Sequence, residues 1–298
     1  MEEFKKKLIH LHHCRGIGWK SMYKILTFDP ALSQLYDVSS NTWRQLLHIP
    51  EKQLNDFLHD LHTLSIENFL QQYLLNNVQC ITIYDSVYPV KLKNIYNPPW
   101  VLYVRGETQL LSAVPILAVV GPRRPSTYGI DITRNLLMPL VKKGYIIISG
   151  LASGIDAIAH QTALKYSGKT IGVLGSGIFQ IYPKENIPIA LEMMRKGTVM
   201  SEYPPFKKAE PWMFPNRNRI ISGMAEGVLI TEAKEKSGSL ITAYSALEQG
   251  REVFAVPGNI TSELSIGTNK LIQEGAKPIL SHLDIEEEIL LPQQNKGG

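Results

Sequence analysis

Cysteine is almost absent. Cys14 and Cys80 are the only two in 298 residues, and their separation fits no metal or redox spacing. A disulfide scaffold is excluded and a reducing compartment is expected. No run of 18 apolar residues occurs, so no segment is expected to span a membrane. The opening MEEFKKKLIHLHH runs acidic then basic and lacks the apolar centre of a signal peptide. Neither sign of charge dominates. Against 27 Asp and Glu stand 31 Lys and Arg, a formal charge of +4 that permits a polyanionic partner without requiring one. What is present is ordinary globular composition, 44% hydrophobic and 19% charged, which supports a buried core and excludes a disordered chain or a coiled coil. The length suggests about two domains at ~150 residues each, or one large α/β domain with a small appendage.

Residues 1–75 contain no convincing strand. Apolar residues recur there at helical spacing, as in Met22, Ile25 and Leu26 or Leu54, Phe57, Leu58 and Leu61. Breaks at Gly16 to Gly18, Asp29-Pro30, Ser39-Ser40 and Pro50 divide the stretch into four or five short helices, a small all-helical domain. Six of the eight histidines lie here (His10, His12, His13, His48, His59 and His62) and are expected to face solvent rather than hold a metal.

From residue 76 to 290 the pattern changes. Short β-branched runs at 78–84, 101–105, 116–120, 145–149, 170–174, 198–201, 227–231, 252–256 and 277–280 read as strands. Helical stretches at 127–143, 154–167, 185–196, 213–224, 239–249 and 267–275 alternate with most of them. Nearly continuous apolar strands separated by helices predict an extended, Rossmann-like, doubly wound and mostly parallel sheet covered on both faces. The first two strands read as a lead-in to it. Residues 291–298 read as a disordered tail.

In such a sheet ligands bind beyond the carboxyl ends of the strands, at the topological switch point. Six consecutive strand ends here deliver small residues or cations: Gly121-Pro122-Arg123-Arg124, Gly150 to Gly154, Gly175-Ser176-Gly177, Glu202 to Lys208, Glu232 to Ser239, and Pro257-Gly258-Asn259. One such loop is routine. Six with Arg and Lys among them describe a rim for phosphates. The dinucleotide fingerprint is absent, because Gly175-Ser176-Gly177 lacks its third glycine, and no P-loop sequence exists.

The segment Phe214-Pro215-Asn216-Arg217-Asn218-Arg219-Ile220-Ile221-Ser222-Gly223 carries most information. With Lys207, Lys208 and Trp212 upstream, residues 205–219 hold four cations against Glu210. Cations track a phosphate backbone, and Phe214 or Trp212 offers a face on which a base can stack. The alternative is a helix start whose arginines pair with Glu202 and Glu232.

GPRRPSTYG, SGLASGIDAIAH, GVLGSGIFQIYPKEN, SEYPP, FPNRNRIISG, EAKEKSGSLITAYSALEQGREVFAVPG and GTNKLIQEGA follow in this order. The set resembles the DNA-processing protein A family (DprA, also called Smf) over roughly residues 84–282. The resemblance implies a non-enzymatic, cytoplasmic protein of natural transformation. Such a protein binds incoming single-stranded DNA without sequence preference, protects it, forms a homodimer and helps load the RecA recombinase, with single-strand DNA-binding protein as a further partner. It implies no cofactor and no metal. Some members carry a C-terminal winged helix, for which the last residues here are too few. One departure stands out. The family turn is usually Gly-Ser-Arg or Gly-Thr-Arg, and Pro122 removes a hydroxyl and a backbone N–H from it.

By resemblance, Arg123, Phe214, Arg217, Asn218 and Arg219 line the strand-end pocket, with Arg123 and Arg217 on phosphates and Phe214 on a base. Gly121, Arg124, Gly150, Ser153 and Gly154 join the rim, and Lys207 and Lys208 extend the positive path. Ser237-Gly238-Ser239 is either a phosphate cradle or a plain serine N-cap. Asp156 and His160, spaced i, i+4, share a helix face. Asp156 is expected to fix a loop or balance Arg217 rather than join a metal or acid–base pair. Glu202 and Glu232 are expected to orient arginines rather than act as hydrolytic carboxylates. Leu11-His12-His13-Cys14-Arg15-Gly16-Ile17-Gly18-Trp19-Lys20 resembles the Gly-apolar-Gly hairpin of a helix-hairpin-helix module. Ile285 and Ile289, among more apolar residues near the C-terminus than a final helix needs, are assigned to a dimer interface; the alternative is that they seal the last strand. The competing function is a nucleotide hydrolase related to lysine-decarboxylase-like phosphoribohydrolases. Its Pro-Gly-Gly-x-Gly-Thr signature is missing after residue 231, where SGSLIT stands.

Overall fold

The computed structural model describes residues 2–289. The chain opens with five helices, α1 (Glu2–His13), α2 (Trp19–Phe28), α3 (Ser40–Leu47), α4 (Glu51–Thr63) and α5 (Ile66–Leu75). Their ends obey local chemistry. Ser39 and Ser65 accept backbone N–H groups from Thr42 and Asn68, capping α3 and α5. Gly16 turns the chain between α1 and α2 at φ +77°, where a Cβ would sit 2.0 Å from the carbonyl oxygen of Gln53. Leu8, Ile25, Trp43 and Phe57 fill the centre.

The histidines divide. His48, His59 and His62 are exposed, as expected. His10, His12 and His13 are not, because one side of α1 packs on the sheet and on α5. His13 Nδ1 lies 2.7 Å from the Ile9 carbonyl, which only accepts, so Nδ1 donates and Nε2 receives the Tyr73 hydroxyl at 2.7 Å. The Tyr103 hydroxyl lies 3.0 Å from His12 Nδ1.

The remainder forms a nine-stranded sheet. Its elements are β1 (Gln79–Thr82), α6 (Val90–Lys93), β2 (Val101–Gly106), β3 (Ile116–Val120), α7 (Thr127–Lys142), β4 (Ile146–Ser149), α8 (Ile155–Lys165), β5 (Thr170–Leu174), α9 (Ile187–Lys196), β6 (Thr198–Ser201), α10 (Met213–Met224), β7 (Gly227–Ile230), α11 (Gly238–Glu248), β8 (Glu252–Ala255), α12 (Ile266–Gln273), β9 (Lys277–Pro278) and α13 (Leu283–Glu288). The strand order is β1-β2-β6-β5-β4-β3-β7-β8-β9. β2 pairs antiparallel with β1 and β6, which makes the lead-in; all other pairings are parallel. Strands β3 to β6 step outward in one direction, and β7 then returns to the far side of β3. The reversal opens a crevice above β3 and β7.

Alternation along the strands feeds two cores. Leu117, Val119, Ile147 and Leu229 meet Leu137 of α7 and Ile155 of α8. Ile116, Ala118, Ile148 and Val228 share a core with Ile220 of α10, Ala243 of α11 and the N-terminal helices. The boundary expected near residue 76 falls between α5 and β1, and this apolar core runs across it. Trp19 stacks on Trp100 at 5.4 Å, and its indole N–H donates to the Pro98 carbonyl.

The assignment of Ile285 and Ile289 to an exposed interface requires correction. They are 0% and 3% exposed. Spaced i, i+4, both point from α13 into the core beneath Phe254, and the Tyr145 hydroxyl donates to the Ile289 carbonyl at 2.6 Å. They seal the sheet. Among the described residues of this segment, Leu280 and Leu283 are the exposed apolar ones. The tail expected at 291–298 lies outside the described residues.

Candidate nucleic-acid interface

A cleft of about 1290 Å³ opens at the switch point. Its walls come from the loops after β3, β4, β5 and β7 and from the first turns of α10 and α11. The β3 turn is pressed against α8. The Ile155 N–H donates to the Pro122 carbonyl, and a Cβ on Gly121 would lie 2.5 Å from the Ile155 side chain. Gly154 adopts φ +78°, and a Cβ there would also strike the Pro122 oxygen at 2.3 Å, so both its backbone and its packing call for glycine. Gly154 is therefore part of the packing behind the turn and does not line the cleft.

This packing thrusts Arg123 and Arg124 outward, both exposed and both on the cleft wall. The Arg123 guanidinium lies 5.8 Å from the centroid of the Phe214 ring. Tyr182 flanks the same ring at 5.8 Å. Gly175 lies under Phe214, where a Cβ would meet ring carbon Cδ1 at 2.8 Å. Gly150 and Ser153 line a small recess beside Arg123 and Phe214. The Ser153 hydroxyl there donates to Glu185 at 2.5 Å. Trp212 stands on the rim, edge-on to Tyr203, and its N–H donates to Glu210.

The two arginines of the FPNRNR segment part company. Two residues apart on α10, they point about 200° from one another. Arg217 faces the cleft floor but is only 4% exposed. Its Nη1 donates to the carbonyls of Gly150 and Val173, and Nε donates to Asn218 Oδ1 at 3.1 Å. Nη2 is the nitrogen left without a partner among the described residues. Asp156, buried beside it, accepts the Ala152 N–H at 3.3 Å. Burial raises the Asp156 pKa, and the charge of Arg217 opposes that rise. Of the two roles expected as alternatives, fixing a loop or balancing Arg217, Asp156 is placed for each. Arg219 points away from the cleft into an ion pair with Glu202. It lines no part of the cleft, which corrects its assignment to the pocket. The reason is the buried Glu202, whose carboxylate needs a charged partner.

Other expected residues sort by position. Asn218, Ser237, Gly238 and Ser239 line the cleft. Ser237 makes no side-chain cap to α11, and its hydroxyl has no partner among the described residues, so the plain N-cap reading fails. Lys207 and Lys208 are exposed on the rim loop outside the cleft, and Lys207 pairs with Glu210 at 2.5 Å. Glu232 orients no arginine. It receives the backbone N–H of Ser126 at 2.9 Å and the Ser126 hydroxyl, fixing the start of α7. His160 is buried at 0% exposure. Thr170 spends its proton on the Ile147 carbonyl, so His160 Nδ1 donates to Thr170 Oγ1 at 2.7 Å, and burial lowers the ring to about pKa 3. No group of three His, Cys, Asp or Glu side chains placed to hold a metal exists among the described residues.

Arg105, Lys184, Lys234 and Lys236 also line the cleft. Lys184, Lys234 and Lys236 sit in strand-end loops, a signal that was visible in the sequence. Arg105 sits inside β2 and shares a face with Tyr103; only the antiparallel insertion of β2 beside β6 brings it to the cleft.

The fold and cleft together define a Rossmann-type α/β protein with a cationic, aromatic-edged opening at its switch point. The chain belongs to the DNA recombination-mediator protein A family, whose model matches residues 79–290. It is 49% identical over 226 residues to the DNA processing protein DprA of Bacillus subtilis, covering 76% of this chain and 75% of that one. The X-ray structure of DprA from Streptococcus pneumoniae superposes with a TM-score of 0.85 at 34% identity, over 97% of this chain and 99% of the other. DNA processing protein A from Helicobacter pylori, described for its single-stranded DNA binding mode, matches 70% of this chain and 94% of its own at TM-score 0.64 and 31% identity.

Proposed function

We propose that this protein binds single-stranded DNA without sequence preference in the strand-end cleft, holds it against degradation and hands it to the RecA recombinase during natural transformation. It acts in the cytoplasm as a homodimer, with single-strand DNA-binding protein as a further partner, and catalyses no reaction. The observation that carries the reading is the exposed guanidinium of Arg123 beside the Phe214 ring at the cleft mouth. The pair offers a phosphate contact next to a stacking face, the combination that sequence-tolerant single-strand binders use. The family's character as recombination mediators and the Helicobacter pylori relative's single-stranded DNA binding support it.

Size favours a polymer. The cleft exceeds the ~300–1,000 Å³ of ordinary small-molecule sites. Its lining runs from Arg105 on β2 to Lys236 beyond β7, five strand steps at ~4.8 Å, or about 24 Å. A nucleotide hydrolase needs free carboxylates at the cleft, whereas Glu202 is held by Arg219 and Glu232 by Ser126. Gel retardation with single-stranded and duplex oligonucleotides, run beside an assay for base release from nucleoside monophosphates, tests the proposal. Preference for the single strand, a log–log salt slope of roughly −2 to −4 and no base release are expected. Equal affinity for blunt duplex, or base release, overturns it.

A further inference from the structure

We infer that Phe206 and Lys208 form a second station for single-stranded DNA, outside the cleft, over which the strand leaves toward the N-terminal helices. The inference rests on the cleft reading above and extends it. Phe206 is 47% exposed, although it belongs to a cluster of aromatic rings. It meets Phe179 edge-on at 4.9 Å, and Phe69 and Tyr73 of α5 at 6.4 Å each. Phe179 itself lines the cleft, as do Ala209 and Glu210 just downstream of the shelf. The cleft wall and the outer shelf are thus one continuous surface.

The shelf is built rather than loose. Gly177 donates its N–H to the Lys207 carbonyl at 2.7 Å, and Phe179 donates to Pro205 at 2.9 Å. These bonds need a glycine at 177, where a Cβ would lie 2.3 Å from the Pro204 oxygen. The ring of Phe206 is therefore presented from a backbone stapled to the cleft loop, and α5 supports it from behind. Lys207 is neutralised by Glu210, but Lys208 is exposed and has no carboxylate partner among the described residues. A half-exposed ring two residues before a cation without a carboxylate partner among the described residues offers the same two chemical groups as Phe214 and Arg123. A base stacks on one and a phosphate meets the other.

The test compares oligothymidines of about 6 and about 20 nucleotides, the first long enough for the cleft alone and the second for cleft and shelf. Phe206→Leu keeps apolar contact with Phe179 and Tyr73 while removing the aromatic face; Lys208→Gln removes the charge. Phe206→Leu is expected to weaken the long oligonucleotide roughly tenfold and leave the short one unchanged. Lys208→Gln is expected to reduce the salt slope by about 0.7 for the long one alone. Phe206→Tyr retains parental affinity, and all variants keep the parental melting temperature. If Phe206→Leu and Lys208→Gln bind both lengths like the parent, or lose both lengths alike, the station is overturned while the cleft reading stands. If the parent binds neither length, the cleft reading falls and takes this inference with it.

Discussion

The guanidinium of Arg217 lies directly over the backbone of Gly150, so close that a Cβ at position 150 would sit 2.3 Å from its nitrogens. The arginine thereby ties the ends of β4 and β5 together through the carbonyls of Gly150 and Val173. Removing it strands two carbonyls and leaves Asp156 buried without its counter-charge. Arg217→Ala is expected to cost roughly 3–5 kcal/mol in urea denaturation. Gly150→Ala is expected to reproduce part of that loss by displacing the same side chain. If Arg217→Ala unfolds at the parental urea midpoint, this account of the cleft floor is wrong.

Arg123 carries the opposite expectation. It is exposed and packs on the Phe214 ring, so Arg123→Ala should change stability by less than about 1 kcal/mol. Single-strand affinity should fall for all sequences alike, and the salt slope should flatten by about 0.7. Fluorescence titration at several salt concentrations reads both numbers.

Phe214→Ala should weaken the single strand by ~1–3 kcal/mol with the salt slope unchanged, because stacking releases no counterions. Gly175→Ala provides an independent check. Its Cβ would push the ring from its seat, so affinity should fall although no DNA-contacting atom is removed.

Acid should loosen the packing of α1 on β2 and α5. Burial lowers His12 to about pKa 3 and His13 to about 4, below the ordinary value of 6.5. The unfolded chain therefore binds more protons in that window. The stability these rings confer is complete above about pH 6.5 and is lost as pH falls toward 4 and 3. Each contributes a slope of at most about 1.4 kcal/mol per pH unit. Replacing both with Gln should make the fall in melting temperature between pH 6.5 and 4 shallower, the remaining slope coming in part from His160, which burial also lowers to about 3. An unchanged profile would place the acid sensitivity elsewhere.

For the proposed homodimer the informative residues are Leu280 and Leu283, 77% and 51% exposed beside the edge strand β9. Light scattering should report a dimer for the parent and a folded monomer when both are changed to Glu. Ile285→Glu should instead lower the melting temperature, since it places a charge in the core under Phe254.

The sequence by itself determined the architecture. Strand and helix periods are local, and β3, β5 and β6 begin and end where their apolar runs do, as does α10. Strand-end chemistry was equally local, which is why Gly121 and Arg123 could be named from their loop, whereas Phe214 and Asn218, in the first turns of α10, were placed by resemblance. Tertiary structure decided which charged and apolar groups remain free, because burial depends on the face a helix turns inward and on what meets it there. Arg217 and Arg219 look alike in a string. Their 200° separation on α10 sends one under Gly150 and the other to Glu202. Ile285 and Ile289 read as surplus until α13 folds onto Phe254, and the histidines of α1 leave the solvent only because distant tyrosines meet them, Tyr36 at His10, Tyr103 of β2 at His12 and Tyr73 of α5 at His13. Arg105 reached the cleft through an antiparallel pairing between residues far apart in the chain, which no local pattern encodes.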